Sequence, residues 1–180
     1  MERNLVLIAL FAALTAALGL VPKIDLISGV PITAQSLGIM LSGTVLGKRN
    51  GALSVLLFLL LVVVGLPVLS GGRGGLGVFF GPTAGFLIGW PVAAFVAGWV
   101  VEKWQAPIGL AAFAGSILGG IIVLYVIGMA GMAITLGMSL RELSVAMLPF
   151  LPGDIIKAAI AALVTRALFT MRPGVVLSRS

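Results

Sequence analysis

Long stretches without a charged residue constrain this chain more than any other feature of its sequence. A helix needs about 20 mostly apolar residues to cross the hydrocarbon core of a bilayer. Five uncharged runs are about that long or longer, and they cover residues 4–22, 26–47, 50–72, 74–101 and 104–140. The chain is 61% hydrophobic and 9% charged, whereas soluble domains carry about 25% charged residues. The sequence therefore predicts an all-α integral membrane protein.

Six transmembrane helices account for the runs. Each of the first four fits one helix, and we interpret the fifth as one helix with a Gly- and Met-rich exit at residues 128–132. A sixth helix is expected to begin near Pro149 and end near Phe169. Polar or Gly-rich turns separate the spans at residues 48–51, 70–77 and 102–107. We expect one membrane domain over residues 1–180, a bundle of six helices.

The basic residues predict the orientation of the bundle. Six crossings place both termini on one side, together with Arg3, Lys48, Arg49, Lys103, Arg166, Arg172 and Arg179. The opposite side holds Lys23, Arg73 and Arg141, and Lys157 lies within the outer end of the sixth helix. Because Lys and Arg accumulate in cytoplasmic loops, we expect both termini to be cytoplasmic.

The residue types that are missing exclude much enzymology. The chain has no Cys and no His, which removes thiol nucleophiles, imidazole bases and the usual zinc ligands. An aspartyl dyad within the membrane is not expected, because Asp25 falls in an outer loop. No phosphate-binding loop of the GxxxxGK[ST] type occurs. We therefore expect no catalytic, metal or ATPase site, and the scattered basic residues do not indicate a nucleic-acid partner.

Asp154 and Lys157 are the most informative candidates for ligand binding. Two prolines and a glycine precede them, so a helix is expected to begin near Gly153, with Asp154 in its first turn. Lys157 follows at i+3 and shares the same face. Charges within a membrane segment are costly and usually serve function. The alternative is an ion pair that only neutralises itself near the interface.

Arg73 and Gln35 are further candidates. Arg73 lies in the Gly-rich stretch 71–77, which matches GxGxxG literally but lacks the flanking strand and the acidic residue that a dinucleotide site requires. Such a loop can approach a ligand closely, or it can be a flexible connector with one solvated Arg. Gln35 offers a donor and an acceptor at the start of the second helix, and the alternative is a Gln at headgroup depth.

Small residues recur at helical spacing and indicate close helix contacts. They are Ala9, Ala13 and Ala17 in the first helix, Gly81, Gly85 and Gly89 in the fourth, and Gly115 and Gly119 in the fifth. For most of them we expect packing within the bundle. A partner helix is the alternative.

Taken together, these residues resemble the biotin-specific S components of energy-coupling factor (ECF) transporters, the BioY family. The resemblance covers nearly the whole chain and is carried by five motifs in order, at residues 30–35, 65–68, 71–77, 81–86 and 149–154. Two positions depart from the pattern. Ala34 precedes the Gln where the family often has Leu, and Ser70 follows the Leu-Pro-Val segment where some members carry Asn.

Biotin chemistry suggests a role for each candidate. Asp154 could accept the ureido N–H bonds, and Lys157 could donate to the ureido carbonyl or keep Asp154 ionised. Arg73 could bind the carboxylate. Ser70 could replace the missing amide contact. Gln35 is a further polar residue of the predicted binding site. Aromatic walls are expected from Phe79, Phe80 and Phe86.

The resemblance also implies a biological setting. Similar proteins capture biotin from outside and associate with a transmembrane coupling subunit and two cytoplasmic ATPases in the bacterial inner membrane. The Ala9, Ala13 and Ala17 face would contact the coupling subunit. Biotin would be the transported substrate, with no cofactor. An S component for another vitamin, or an oligomeric channel or structural membrane protein, remains an alternative.

Overall fold

The computed structural model describes residues 2–24 and 31–179, and helices dominate this part of the chain. Seven α-helices are α1 (Glu2–Leu18), α2 (Gln35–Val63), α3 (Ala84–Lys103), α4 (Ile108–Ile117), α5 (Leu124–Leu136), α6 (Leu140–Met147) and α7 (Leu151–Met171). A π-helical segment, Leu118–Val123, joins α4 to α5, and short 3-10 helices lie at Leu76–Phe80, Leu148–Phe150, Pro173–Val175 and Leu177–Arg179. Asp25 and Val30 lie outside the described residues.

Four helical stretches of the described chain are long and apolar enough to cross a membrane. They are Gln35–Val63, Ala84–Lys103, Ile108–Leu136 and Leu140–Met171. Together with α1, which has 17 residues, they confirm the prediction that the chain is all-α. The continuous stretch Ile108–Leu136 exists because the π-helical segment inserts an extra residue per turn without breaking the helix.

The chain reverses direction inside α2, at Gly47. This residue has φ 81° and ψ 177°, outside the helical region, a conformation that glycine adopts without a steric penalty. A Cβ on Gly51 would lie 2.9 Å from the Cα of Gly43, whereas eight residues of continuous helix would separate the two by about 12 Å. The predicted turn at residues 48–51 is thus displaced, because Gly47 makes the turn and those residues begin the next helical segment.

The predicted exit at residues 128–132 was wrong. These residues belong to α5, which continues to Leu136 and ends at Gly137, a left-handed residue with φ 66°. The reason is packing, since a Cβ on Gly131 would lie 2.5 Å from the Cα of Gly85 in α3. The glycines of this stretch therefore allow α3 and α5 to touch, as small residues do in membrane bundles.

Other small residues also pack inside the bundle, as predicted for most of them. Gly115 and Gly119 lie against the backbone of Ala97 and Ala93, respectively, and Gly89 lies against Leu124 and Ile127. Gly81 differs, because a Cβ there would meet no atom within 4 Å.

The two ends of the described chain lie at the same end of the bundle, which we name the termini end. A Cβ on Gly174 would lie 3.7 Å from Arg3 Nη1. Ser178 Oγ donates to the carbonyl of Thr44, close to the Gly47 turn, at 2.6 Å. Arg179 donates to the carbonyl of Trp104, in the loop between α3 and α4, at 2.7 Å. The candidate site lies at the opposite end, where α7 begins.

Candidate binding site

A cavity lies between the helices at the end opposite the termini. Together with the open space at its mouth, about 600 Å³ is not filled by protein atoms. Its lining residues come from the start of α2, the loop before α3, and helices α3, α5 and α7: Pro31, Thr33, Gln35, Ser36, Leu69, Arg73, Thr83, Phe86, Leu87, Trp90, Leu124, Tyr125, Phe150, Asp154 and Lys157. Five of the eight predicted ligand residues are in this set.

The polar centre of the cavity is a network around Asp154. Lys157 Nζ donates to Asp154 Oδ1 at 2.9 Å and to Ser36 Oγ at 2.9 Å. Tyr125 Oη donates to the other carboxylate oxygen, Oδ2, at 2.6 Å. The network ties α2, α5 and α7 together at the cavity. Both carboxylate oxygens thus have a protein donor, and the pair is largely withdrawn from solvent, with side-chain exposures of 8% for Asp154 and 15% for Lys157.

The local sequence places this ion pair at the beginning of α7. The helix starts at Leu151, two residues before the predicted start near Gly153, with Pro152 in its first turn. Asp154 lies in that first turn, where the helix dipole stabilises a negative charge. One helical turn separates Asp154 from Lys157, so both side chains reach the same cavity.

Arg73 reaches the cavity from the loop before α3. Its Nε donates to the carbonyl of Ser70 at 3.3 Å, and an isolated bridge joins Leu69 to Arg73. The two residues between Ser70 and Arg73, Gly71 and Gly72, have φ values of 79° and 68°, which L-residues with side chains rarely adopt. The tight turn leaves the two Nη groups of Arg73 with no partner in the described chain.

Gln35 lines the cavity, but its polar atoms serve the protein itself. The side-chain amide donates to the carbonyls of Thr15 and Val68, at 3.1 Å each. Its carbonyl oxygen accepts from the backbone N–H of Ser70 at 3.0 Å. Gln35 is 1% exposed, so its side chain is buried among protein groups. The side chain joins α1, α2 and the loop that carries Arg73.

The remaining predicted ligand residues occupy different places. Phe86 lines the cavity from α3. Ser70 is buried next to the lining residue Leu69. Its Oγ has no hydrogen-bond partner in the described part of the chain. Phe79 packs against the hydrophobic core and is not among the lining residues. Phe80 is 82% exposed, so it is not an aromatic wall of this cavity.

Sequence reasoning missed Tyr125, Ser36 and Trp90. Tyr125 is the only tyrosine in the chain, and a hydroxyl within an apolar helix usually needs a buried partner, which was a usable signal. The π-helical segment ends two residues before it. Ser36 directly follows Gln35, but nothing in the sequence indicated that it contacts Lys157. Trp90 sits among apolar residues of α3 and could not be told from core.

The predicted partner face of α1 points away from the bundle. Ala9, Ala13 and Ala17 are all exposed. The buried face of the same helix is formed by Leu7, Ile8, Phe11, Ala12 and Thr15. The three alanines therefore form an outer stripe of small side chains on the part of α1 that is turned away from the core.

Comparison with known proteins agrees with this architecture. The BioY family profile matches residues 2–174. The chain belongs to the BioY family. It is 53% identical to the biotin transporter BioY of Rhodobacter capsulatus, over 99% of this chain and the whole of that protein. It is 51% identical to the biotin transporter BioY of Rhizobium etli, over 95% of each.

A solved structure also resembles this BioY family member. It is the crystal structure at 2.1 Å of the S-component for biotin from an ECF-type ABC transporter, which is 32% identical. The match has a TM-score of 0.88 and covers 94% of this chain and 92% of the other. The family resemblance drawn from the motifs is thereby confirmed, and the chain is a multi-pass membrane protein. These relatives are named as transporters or transporter components, not as enzymes.

Proposed function

We propose that this chain is the biotin-binding subunit of an uptake transporter, which captures biotin outside the cell and delivers it inward with an ATPase-driven module. The names of its relatives and of the similar crystal structure support biotin as the ligand. The observation that carries the proposal is the cavity itself. A largely apolar space holds Asp154, Lys157 and Arg73 at one end of the bundle, in a chain where only 9% of the residues are charged.

The charges of the cavity suit a ligand with one carboxylate. Lys157 and Arg73 contribute two positive charges and Asp154 one negative charge, so the side chains of the cavity carry a surplus of one positive charge. The free Nη groups of Arg73 can form a bidentate pair with a carboxylate. Lys157 keeps one N–H for the ligand. Asp154 Oδ1 accepts from Lys157 and Ser36, whereas Oδ2 accepts from Tyr125 and keeps a lone pair for a ureido N–H. Phe86 and Trp90 offer apolar surface to the rings.

The proposed topology has six crossings and both termini in the cytoplasm. The crossings are α1, the two segments of α2 on either side of Gly47, α3, the continuous stretch Ile108–Leu136, and α7. Residues at the termini end support the orientation, since Lys48, Lys103 and Arg179 all lie there and basic residues mark the cytoplasmic side. The cavity then faces the exterior, as capture from outside requires. The setting is the bacterial inner membrane, and the chain is one membrane domain over residues 1–180.

The proposed partners are a transmembrane coupling subunit and two cytoplasmic ATPases. The exposed alanines Ala9, Ala13 and Ala17 support a close helix–helix contact on α1, because small side chains let two backbones approach. The proposal uses biotin as transported substrate, needs no cofactor and involves no nucleic acid.

Equilibrium dialysis of the purified protein with labelled biotin tests the proposal. We expect saturable binding near one biotin per chain, with unlabelled biotin competing and thiamine and riboflavin failing to compete. Displacement by another vitamin at lower concentration than biotin would assign a different substrate. The absence of any saturable binding would favour an oligomeric channel or structural protein instead.

A further inference from the structure

A second groove lies on the outer surface of the bundle and shares no lining residue with the cavity. Its walls come from the beginning of α4 and the second half of α7, and its lining is Pro107, Ile108, Gly109, Leu110, Phe113, Ala159, Ala162, Leu163 and Arg166. We name it the Arg166 groove. Arg166 is the one charged side chain among these lining residues.

The apolar walls of the Arg166 groove are open to the surroundings of the bundle. Leu110 is 51% exposed and Leu163 is 65% exposed. The two alanines of α7, Ala159 and Ala162, form a shallow floor because their side chains are short. Seven residues of helix separate Ala159 from Arg166, so the groove extends about 10 Å along α7. Its surface suits a flexible apolar chain lying along the helix.

Arg166 is held at one end of this groove without a counter-charge. Its aliphatic stem lies across Gly109, and a Cβ there would be 3.4 Å from Arg166 Cδ. Within residues 2–24 and 31–179, the ion pairs join Lys48 to Glu102 and Lys157 to Asp154, and none includes Arg166. A guanidinium beside apolar membrane-facing surface requires a negative partner or water.

The position of Arg166 in the bundle identifies the partner's chemistry. Gly109 lies in the first turn of α4, directly after the loop that contains Trp104, which is 46% exposed and typical of the membrane interface. This loop belongs to the termini end, because Arg179 binds its carbonyl groups. Arg166 therefore lies at headgroup depth, with the apolar groove running from it toward the middle of the bundle.

We propose that the Arg166 groove binds one anionic phospholipid, with its phosphate on the Arg166 guanidinium and an acyl chain between α4 and α7. The planar guanidinium matches phosphate geometry in two parallel hydrogen bonds, and basic pockets between membrane helices select acidic headgroups. This inference does not depend on what the outer cavity binds.

Native mass spectrometry of delipidated protein tests the inference. The protein is titrated separately with dioleoyl phosphatidylglycerol and dioleoyl phosphatidylcholine, which share their acyl chains and differ in charge. We expect the first to bind about fivefold more tightly, the preference that one Arg near an anionic headgroup provides. Arg166→Gln should remove the preference, whereas Arg166→Lys should keep most of it. Arg172→Gln, a second exposed Arg on the same end, is the matched control and should change nothing.

Two further measurements keep the result unambiguous. Thermal unfolding of each variant shows whether Arg166→Gln is folded. Ala159→Trp, which fills the groove and leaves Arg166 intact, should weaken binding of the anionic lipid. Equal binding of the two lipids by the unaltered protein, or a preference that survives Arg166→Gln, would overturn the inference. So would loss of the coupling subunit in Arg166→Gln with an unchanged lipid preference, because the groove would then be a protein interface.

Discussion

The ion pair between Asp154 and Lys157 allows ligand binding to be separated from folding. Removing one member of a buried pair costs about 3–5 kcal/mol, because the other charge is left without compensation, while replacing both members is often neutral. At 8% and 15% side-chain exposure, the pair is buried enough for this rule. For a chain of this length, the single-variant loss corresponds to a fall in melting temperature of about 6–20 °C.

The experiment compares Asp154→Asn, Lys157→Met and the double variant. We expect each single variant to melt well below the unaltered protein in detergent without biotin, and the double variant to recover most of the loss. In the double variant no buried charge remains, because both charged side chains have been replaced. The side-chain amide oxygen introduced by Asp154→Asn would still accept a hydrogen bond from Tyr125. Biotin binding by equilibrium dialysis should be lost in all three variants, because each lacks at least one of the two charges proposed to hold the ureido ring, although Arg73 remains.

Two results would refute this reasoning. If the double variant were destabilised by the sum of the two single losses, the charges would not be coupled, since interacting residues deviate from additivity. If the double variant were stable and bound biotin as tightly as the unaltered protein, the pair would not be part of the binding site. Lys48→Met with Glu102→Gln is the control pair, because its side chains are 29% and 27% exposed. A smaller coupling than that of Asp154 and Lys157 is expected for it, since solvent weakens ion pairs.

Three further predictions concern single residues. Tyr125→Phe should weaken biotin binding by about tenfold or more in dialysis, because Asp154 loses the donor to Oδ2 and hydrogen bonds to charged groups contribute about 1.5–3 kcal/mol. Unchanged affinity would contradict this prediction. Gln35→Leu should lower the melting temperature strongly, since it leaves three buried backbone groups without a partner; a shift of about 1 °C or less would refute a scaffold role. Ala13→Trp should prevent co-purification of the coupling subunit while sparing biotin binding. Val126→Trp, on the exposed surface of α5, is the control. A complex that survives Ala13→Trp would rule out the α1 interface.

Charge was the most reliable guide in the sequence, because a membrane leaves few places for it. Asp154, Lys157 and Arg73 stood apart from the basic residues at the termini end, and the structure brings all three to one cavity. The cost of charge in an apolar environment is a property of the residue itself, so it can be read without knowing the fold. Their contacts with biotin stay predictions.

Glycine was harder to interpret, because a glycine that ends a helix and a glycine that lets another helix approach look alike in a sequence. Gly47 and Gly51 flank the same polar turn, but only Gly47 has a positive φ, and Gly51 packs against Gly43. The glycines at 128 and 131 were read as a helix exit, although Gly131 contacts Gly85 from a helix more than forty residues earlier. Whether a glycine ends a helix or lets another helix approach depends on that distant neighbour.

Gln35 shows why a polar residue in an apolar run does not by itself identify a ligand contact. Its acceptors and its donor come from residues 20, 33 and 35 positions away, and they are backbone groups, which leave no trace in the sequence. The hydrogen bonds it makes fix the loop on which Arg73 is carried, and Tyr125 and Ser36 fix Asp154 and Lys157 in the same way. The polar side chains of the cavity thus differ in whether their hydrogen-bonding groups already have partners in the described chain. Gln35 bonds to backbone groups of the protein, whereas Arg73 and Lys157 retain N–H groups without a partner there. Free donors and a surplus positive charge at a site held rigid by its neighbours are what a small anion requires.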